Sequence, residues 1–338
     1  MPAKIISKLT QILIIQTASI GDVILATPLI ESISQADANI KIDFLLRAGC
    51  QNLFQNHPHI RKVMVWDKSQ KKYARLWQIL RNIRKTNYDY VINLQRFAST
   101  GLVTGFSKGR VKIGFQKNPF SFLFTTKVPH HISTTLGLHE IDRNLKLIQG
   151  IFEPLRTVKL YPTPNDFAKT AMYKTKAYIT IAPASLWETK KYPEEKWVAF
   201  INHVPAALQI YLTGGKSDTD LCNRIAQKCV KHSIENLSGK LSLLETATLM
   251  KDAHMNYTND SAPQHLASAL NAPVASIFCS TVPAFGFGPL SEKSFVIETC
   301  TPLYCRPCGI HGYKTCPEKH FKCAYEIHKE QLLICLPN

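Results

Sequence analysis

The sequence predicts an α/β protein built from two doubly wound parallel sheets, and three observations carry that prediction. Short, almost wholly apolar runs alternate with segments of helical periodicity, the pattern of strands buried on both faces between crossover helices. The alternation is interrupted near residues 161–166, where Pro162 and Pro164 break both periods, and then restarts. At 338 residues the chain is long enough for two domains, each with its own core. The expected boundaries are 1–165 and 166–338.

In the first half, residues 11–16, 42–46, 63–66 and 90–94 read as strands, and 23–34, 73–85 and 136–148 as helices. In the second, strands are expected at 178–182, 208–213, 254–257 and 274–279, with helices near 194–204, 218–231, 243–251 and 263–270. A last helix, 324–333, is expected to return and pack on the first domain. The halves share architecture without a repeated sequence.

Composition narrows the classes of function. An apolar content of 45% excludes wholesale disorder. No run approaches the roughly 18 apolar residues of a membrane-spanning helix. Lys4, Lys8 and the apolar run 12–15 lack the cleavage site of a signal peptide, so a cytosolic protein is expected. The net charge of +17 is lopsided: residues 1–165 hold 23 Lys and Arg against 9 Asp and Glu, and residues 166–338 hold 18 against 15. The first half should therefore face an anionic partner. Nucleic acid is disfavoured, because basic residues interleaved with exposed aromatics and a recognised reading helix are both missing.

The stretch 259–265, Asn259-Asp260-Ser261-Ala262-Pro263-Gln264-His265, is a strand exit opening directly onto a helix. Pro263 suits the first helical turn, and such a helix start offers unpaired N–H groups to an anion. His265 is placed to donate to a phosphate oxygen, the alternative being a helix-surface histidine. Near the N-terminus, Gly21 and Asp22 follow an apolar strand in the same way; Asp22 is the expected N-cap of the next helix, or a general base for a sugar hydroxyl. Lys190 and Lys191 lie between a strand and the helix containing Trp197, where one lysine can neutralise a departing diphosphate. Gly214 and Gly215 follow another strand and permit close nucleotide approach, and Asp218 or Asp220 can accept from ribose hydroxyls.

Residues 61–85 hold nine basic residues and one acid, Asp67, with Leu76, Leu80 and Ile83 at helical spacing. Arg61, Lys62, Arg81 and Arg84, joined by Arg110 and Lys112, are the candidate surface for an anionic acceptor or lipid headgroups. Ten cysteines in a cytosolic chain argue against disulfides. Cys305, Cys308, Cys316 and Cys323 are candidate ligands of a structural zinc, although their spacing fits no standard ribbon.

Taken in order, Gly21-Asp22-Val23 with Thr27-Pro28, His139-Glu140-Ile141-Asp142-Arg143, Lys190-Lys191-Tyr192-Pro193 with Trp197, Gly214-Gly215, Asn259-Asp260-Ser261 with His265, and Cys305-Arg306-Pro307-Cys308 make the chain resemble glycosyltransferase family 9, the lipopolysaccharide heptosyltransferases. The resemblance implies a GT-B fold, two Rossmann-like doubly wound domains facing a central cleft. It implies an inverting transferase that takes heptose from ADP-heptose to a Kdo-lipid A type acceptor at the cytoplasmic face of the inner membrane, with no required cofactor. By motif position Asp22 would be the base, Lys190 the diphosphate lysine, Asp260, Ser261, Ala262 and His265 the phosphate loop, and Asp218 the ribose acid. The family often has glycine after the Asp-Ser/Thr pair; here Ala262 and Pro263 take that turn. A relative using a UDP-sugar, transferase or epimerase, shares the fold and is the alternative.

Overall fold

The structure is a computed structural model that describes residues 10–229 and 232–336. The chain divides into two units, Met1–Ile132 with Glu140–Tyr161, and Ser133–His139 with Pro162–Asn338. The first contains β1 (Gln11–Gln16), α1 (Ile20–Ile24), α2 (Thr27–Ala36), β2 (Lys41–Arg47), β3 (Ile60–Trp66), α3 (Lys72–Ile83), β4 (Tyr90–Asn93), α4 (Ala98–Phe106), β5 (Val111–Phe115), β6 (Thr126–Val128) and α5 (Glu140–Leu145). Its strands lie in the order β3-β2-β1-β4-β5-β6, every pair parallel. From Ile12 onward β1 is buried at every residue, as a strand covered on both faces must be.

The second unit contains α6 (Pro164–Thr170), β7 (Tyr178–Ala182), α7 (Glu194–Ile201), β8 (Gln209–Leu212), α8 (Thr219–Lys228), β9 (Ile234–Asn236), α9 (Leu243–Lys251), β10 (Met255–Asn259), α10 (Ala262–Ala269), β11 (Val274–Phe278), β12 (Ser294–Glu298), α11 (Lys322–Tyr325) and α12 (Lys329–Leu333). Its sheet, β12-β11-β10-β7-β8-β9, is also parallel throughout and repeats the topology of the first. In both units the winding direction reverses between two central strands, β1 and β4 or β7 and β10. Such a reversal opens a crevice beyond the carboxyl ends of the strands, where ligands bind in doubly wound sheets.

Several elements depart from the sequence expectation. The helix expected at 23–34 is two: Leu25 and Ala26 interrupt it, Thr27 Oγ1 donates to the Ile24 carbonyl at 2.8 Å, and Pro28 falls in the first turn of α2. The helix expected at 136–148 shortens to α5, with Gly137 in the left-handed region at φ +60° before it. α4 escapes a propensity reading because it carries Gly101 and Gly105. Gly101 is required there, since a Cβ would run into the Asn118 side chain that donates to the Gln95 and Phe97 carbonyls. The strands β5, β6, β9 and β12 are short or half-exposed and carry no buried-strand signature.

The last expected helix is also two, and it packs in the second unit rather than on the first. Ala324, Ile327, Leu332 and Cys335 join Trp197, Phe200 and Tyr257 in the second unit's core. Tyr192 donates to the Ile327 carbonyl at 3.1 Å and Tyr257 to that of Leu332 at 2.9 Å. The helix expected at 218–231 is seen as α8; residues 230 and 231 lie outside the described residues, as do Lys4 and Lys8.

Candidate functional site

In the second unit the chain places Lys190 and Asp260 at the reversal point. Asn259, the fully buried last residue of β10, donates to the Pro183 carbonyl at 2.8 Å and accepts from the Tyr192 N–H at 2.9 Å. One side chain thus ties both ends of the loop that carries Lys190 to the strand that carries Asp260. The Lys190 ammonium lies 2.6 Å from Asp260 Oδ2, and both side chains are largely buried. Thr281 Oγ1 donates to the same oxygen at 2.6 Å, while Gln264 Nε2 donates to Oδ1 at 3.1 Å. A buried ion pair persists only when its remaining hydrogen-bonding capacity is met in this way.

Directly after this carboxylate α10 begins. Ser261 is its N-cap residue and contributes no side-chain cap, and Pro263 stands in the first turn. The positive end of the helix therefore lies beside the lysine. His265 is inside the unit, 4% exposed, and not on the helix surface. Burial, with His139 and Lys190 adding to it, lowers its pKa to about 3, so the ring is neutral at neutral pH. Its Nδ1 is buried without a hydrogen-bond partner. Any bond it makes to a phosphate comes from a neutral imidazole.

The cysteine-bearing tail forms the support beneath Lys190. The Thr189 N–H donates to the Tyr313 carbonyl at 3.1 Å, and the Tyr313 N–H donates to Thr189 Oγ1 at 2.7 Å. Ser280 Oγ donates to Thr189 Oγ1 at 3.0 Å, and the Cys308 N–H to the Ser280 carbonyl at 2.8 Å. Between them Gly312 sits at φ +74°, and a Cβ there would come within 2.8 Å of Thr189 Oγ1 and 3.4 Å of Lys190 Cγ. Arg306 donates to the Cys279 and Thr281 carbonyls at 2.8 Å each, and pairs with Glu298 at 2.5 Å, which holds the turn presenting Thr281. Thr281, Gln264, Thr189, Gly312 and Arg306 are the residues that sequence reasoning missed. All but Gln264, which reaches back four residues to Asp260, act through contacts distant in sequence, and no local pattern announces them.

The zinc expectation finds no assembled cage. Cys305, Cys308 and Cys316 are half-buried and Cys323 is buried, all four as free thiols. Burial, with the neighbouring Cys308, Cys316 and Cys305 adding to it against Arg306, pushes Cys323 up to about 12. Yet among the described residues no group of three or more His, Cys, Asp or Glu could hold a metal ion. The tail's backbone hydrogen bonds, rather than its thiols, organise this region.

Gly214, Gly215 and Asp218 come together as expected, but in a local role. The Asp218 carboxylate accepts from the Gly215 N–H at 2.8 Å and from Ser217 Oγ at 3.2 Å. Gly214 leaves room for it, since a Cβ would lie 2.9 Å from Asp218 Oδ2. Asp220 is exposed in the first turn of α8.

In the first unit Asp22 is the third residue of α1, not its N-cap, as the sequence suggested. Ser19 takes the cap position and accepts from the Asp22 N–H at 3.4 Å, while Ser19 N–H and Oγ donate to Asp22 Oδ2 at 3.1 and 2.6 Å. This reciprocal capping box fixes the carboxylate beyond the carboxyl end of β1, beside the buried Gly21. Asn144 of α5 donates to the Leu25 carbonyl at 3.2 Å, so α5 helps to hold the end of α1 in place, and Arg143 beside it donates to Glu140 at 2.6 Å.

The six cations expected at an acceptor site are at the other edge of the sheet. Arg61 and Lys62 start β3, Arg110 and Lys112 lie at the start of β5, and Arg81 and Arg84 lie at the end of α3, which runs back against the strands. Four have structural partners, among them Arg110, which faces Asp89 at 3.7 Å. Arg61 grips the buried Asp43 with two bonds of 2.8 and 2.6 Å. Arg84 and Lys112 donate to the Phe106 and Gly105 carbonyls at 2.7 and 2.6 Å, closing the negative end of α4. The cations near Asp22 are others. Lys68 donates to the Thr17 carbonyl at 2.7 Å, and its pKa is lowered by burial and then by Arg47 and Lys72, which therefore stand close by. The signal available was position: Arg47 ends its strand and the two lysines follow theirs.

A doubly wound unit with a lysine and a helix N-terminus at its reversal point has the build of a nucleotide-diphosphate-binding domain. The family model described as glycosyltransferase family 9 (heptosyltransferase) matches residues 76–321, and the chain belongs to that family. It is 26% identical over 275 residues to lipopolysaccharide heptosyltransferase 3 of Escherichia coli, covering 77% of this chain and 81% of that one. The solved E. coli ADP-heptose lps heptosyltransferase II superposes with a TM-score of 0.78 at 19% identity, covering 96% of this chain and 97% of that one. E. coli heptosyltransferase WaaC with ADP-2-deoxy-2-fluoro heptose gives 0.68 at 22%, covering 86% and 93%. The protein is a glycosyltransferase with the GT-B heptosyltransferase fold. Among the described residues no helix is long and apolar enough to cross a membrane.

Proposed function

We propose that the protein is an inverting transferase that moves a heptose from ADP-heptose to the lipopolysaccharide inner core, on a Kdo-lipid A or heptosyl-Kdo-lipid A acceptor. It would work in the cytoplasm as a peripheral protein of the inner membrane, without nucleic acid as a partner. The observation that carries the proposal is the buried Lys190–Asp260 pair at the head of α10. A docking diphosphate would replace Asp260 as the partner of Lys190 and meet the first turn of α10. As the bond from the anomeric carbon to the diphosphate breaks, its electron pair goes to the ADP leaving group, where Nζ and the helix N-terminus meet the growing charge.

Asp22 would take the proton of the acceptor hydroxyl as its oxygen attacks the anomeric carbon from the opposite face, which inverts that centre. Asp218 would exchange its bond with Gly215 for ribose hydroxyls. Arg47, Lys68 and Lys72 would meet acceptor phosphates and carboxylates, in place of the six cations at the far edge. The names of the matched relatives, and the heptose nucleotide bound in one of them, support this choice of donor.

The chemistry so assigned needs no metal, and a zinc on the cysteine tail would be structural. Release of ADP from ADP-heptose is measured with and without Kdo-lipid A, beside UDP-sugars and with EDTA. Acceptor-dependent ADP release that survives EDTA is expected; turnover of a UDP-sugar instead would replace the donor assignment.

A further inference from the structure

Several of the cations set apart from Asp22 share a face of the first unit, along α3 and the end of α4, with unburied aromatic rings. On α3, Leu76, Leu80 and Ile83 face the core, which leaves Tyr73, Trp77 and Arg81 at four-residue intervals along the outer stripe. Tyr73 is 77% and Trp77 58% exposed. Phe106, the last residue of α4, is 48% exposed, and its carbonyl accepts from Arg84, so the basic end of α3 meets the aromatic end of α4. Lys85, Lys108 and Arg110 are exposed around this junction. Residues 68–112 hold eleven Lys and Arg and a single acid, Asp89, which faces Arg110 at 3.7 Å.

We propose that this face, the outer stripe of α3 with the end of α4 and the turn before β5, docks on an anionic bilayer. Trp77, Tyr73 and Phe106 enter the headgroup layer, where rings with one apolar and one polar side are favoured, and the surrounding cations meet lipid phosphates. No basic stretch interleaved with exposed aromatics is expected from the sequence; this face is one, and a merely solvated helix face accounts for its lysines and arginines but not for three unburied aromatics among them. Charge complementarity selects the occupant: the exposed Arg81, Arg84, Lys85, Lys108 and Arg110 against the single acid Asp89 fit a surface of repeated negative charge. The carboxyl edge of the same sheet, where Asp22 stands, stays open for a substrate. The membrane setting rests on the function proposed above, but the test contains no sugar and stands apart from it.

The full-length protein is floated with vesicles of phosphatidylglycerol and phosphatidylethanolamine, and with neutral phosphatidylcholine vesicles, at low and high salt. Flotation with the anionic vesicles alone, lost at high salt, is expected. Arg81→Glu/Lys85→Glu should lower the partition at least about tenfold, since each cation near such a surface is worth about a factor of five, and Tyr73→Ser/Trp77→Ser should lower it by removing the rings that enter the headgroup layer. ADP binding by calorimetry should be unchanged in both, which separates this proposal from the transfer reaction.

Because a double variant can misfold, brominated lipid is also used to quench the parent. Quenching that falls in Trp77→Phe supports insertion of this ring. Equal partition to both vesicle types, no partition, no quenching, or folded variants that float like the parent would overturn the proposal. So would a dimer formed without lipid that shields Trp77, which would make the face a contact between copies.

Discussion

The two sheets have the same strand order, yet the reversal point is furnished differently in each. In the second unit a buried Lys190–Asp260 pair is held by Thr281, Gln264 and Asn259 and underpinned by the tail around Gly312. In the first, Asp22 is positioned by one local capping box, with a half-buried lysine, Lys68, anchored on Thr17. The contrast fits a division of labour. A diphosphate is the same in every turnover and rewards a preorganised site, whereas a large acceptor needs one well-aimed carboxylate and room around it.

The sharpest way to break this comparison is Asp22→Asn. If the carboxylate is the base, turnover falls roughly 10²–10⁴-fold while ADP affinity stays within about twofold. Asparagine keeps part of the capping role, so the melting temperature should move little. Turnover within twofold of the parent would make Asp22 only the partner of Ser19. Next comes Lys190→Gln, expected to cost about 10²-fold in turnover and to weaken ADP binding with it. It also leaves Asp260 buried without its cation, so lower stability should accompany the loss. Lys191→Gln is the control: its pair with Glu188 is an exposed contact, worth at most about 1 kcal/mol. Equal effects from the two lysines would dissolve the assigned site.

Gly312→Ala tests whether the tail belongs to the machinery of the second unit. The alanine meets Thr189 and Ser280 at a backbone angle that only glycine adopts easily, and Lys190 is the next residue along. About a tenfold rise in the KM for the donor is expected, with that for the acceptor unchanged. A uniform loss of folded protein with normal constants in the remainder would reduce Gly312 to a turn residue.

The comparison also explains what was legible in the sequence. Strands β1, β2, β7, β10 and β11 are buried runs and announce themselves; β9, half-buried at all three residues, and β12, with only Ile297 buried, do not. Lys190, Asp260 and Asp22 were visible because each stands where a strand gives way to the next helix: Asp260 directly after β10, Asp22 in the first turn of α1 and Lys190 between β7 and α7. The six cations expected at an acceptor stand at the edge away from Asp22: charge was read along the chain, whereas position along a parallel strand decides which edge a residue reaches. Arg61 and Arg47 show this, one at the amino end of β3 and the other at the carboxyl end of β2. The support from Thr281 and Gly312 joins residues far apart in sequence and had no local signature, whereas Gln264 reaches Asp260 across only four residues.

The smallest effect expected concerns one buried histidine in each unit, and it tests whether the units are coupled in stability. His57 is held against Tyr161, with ring centres 4.6 Å apart, and burial, His59 and Lys159 lower its pKa to about 3; Glu31, at 3.8 Å, favours the charged form but does not prevail. His265 is lowered to about 3 by burial, His139 and Lys190. In the unfolded chain both titrate near 6.5, so the unfolded state binds protons first as the pH falls. The stability each neutral ring contributes is complete above about pH 6.5 and is lost below it, down to the folded value near 3. Between pH 7.5 and 5.5 each histidine should cost about 1.4 kcal/mol, while Glu140, Glu194 and Glu245, whose pKa values are lowered from 4.5, stay ionised in that window. Urea unfolding at the two pH values reads the sum. One transition losing about 3 kcal/mol means the units unfold together, and two transitions losing about half of that each mean that they do not. His57→Phe and His265→Phe should each remove one share of the slope, and a slope untouched by either would show that neither ring is held neutral in the folded protein.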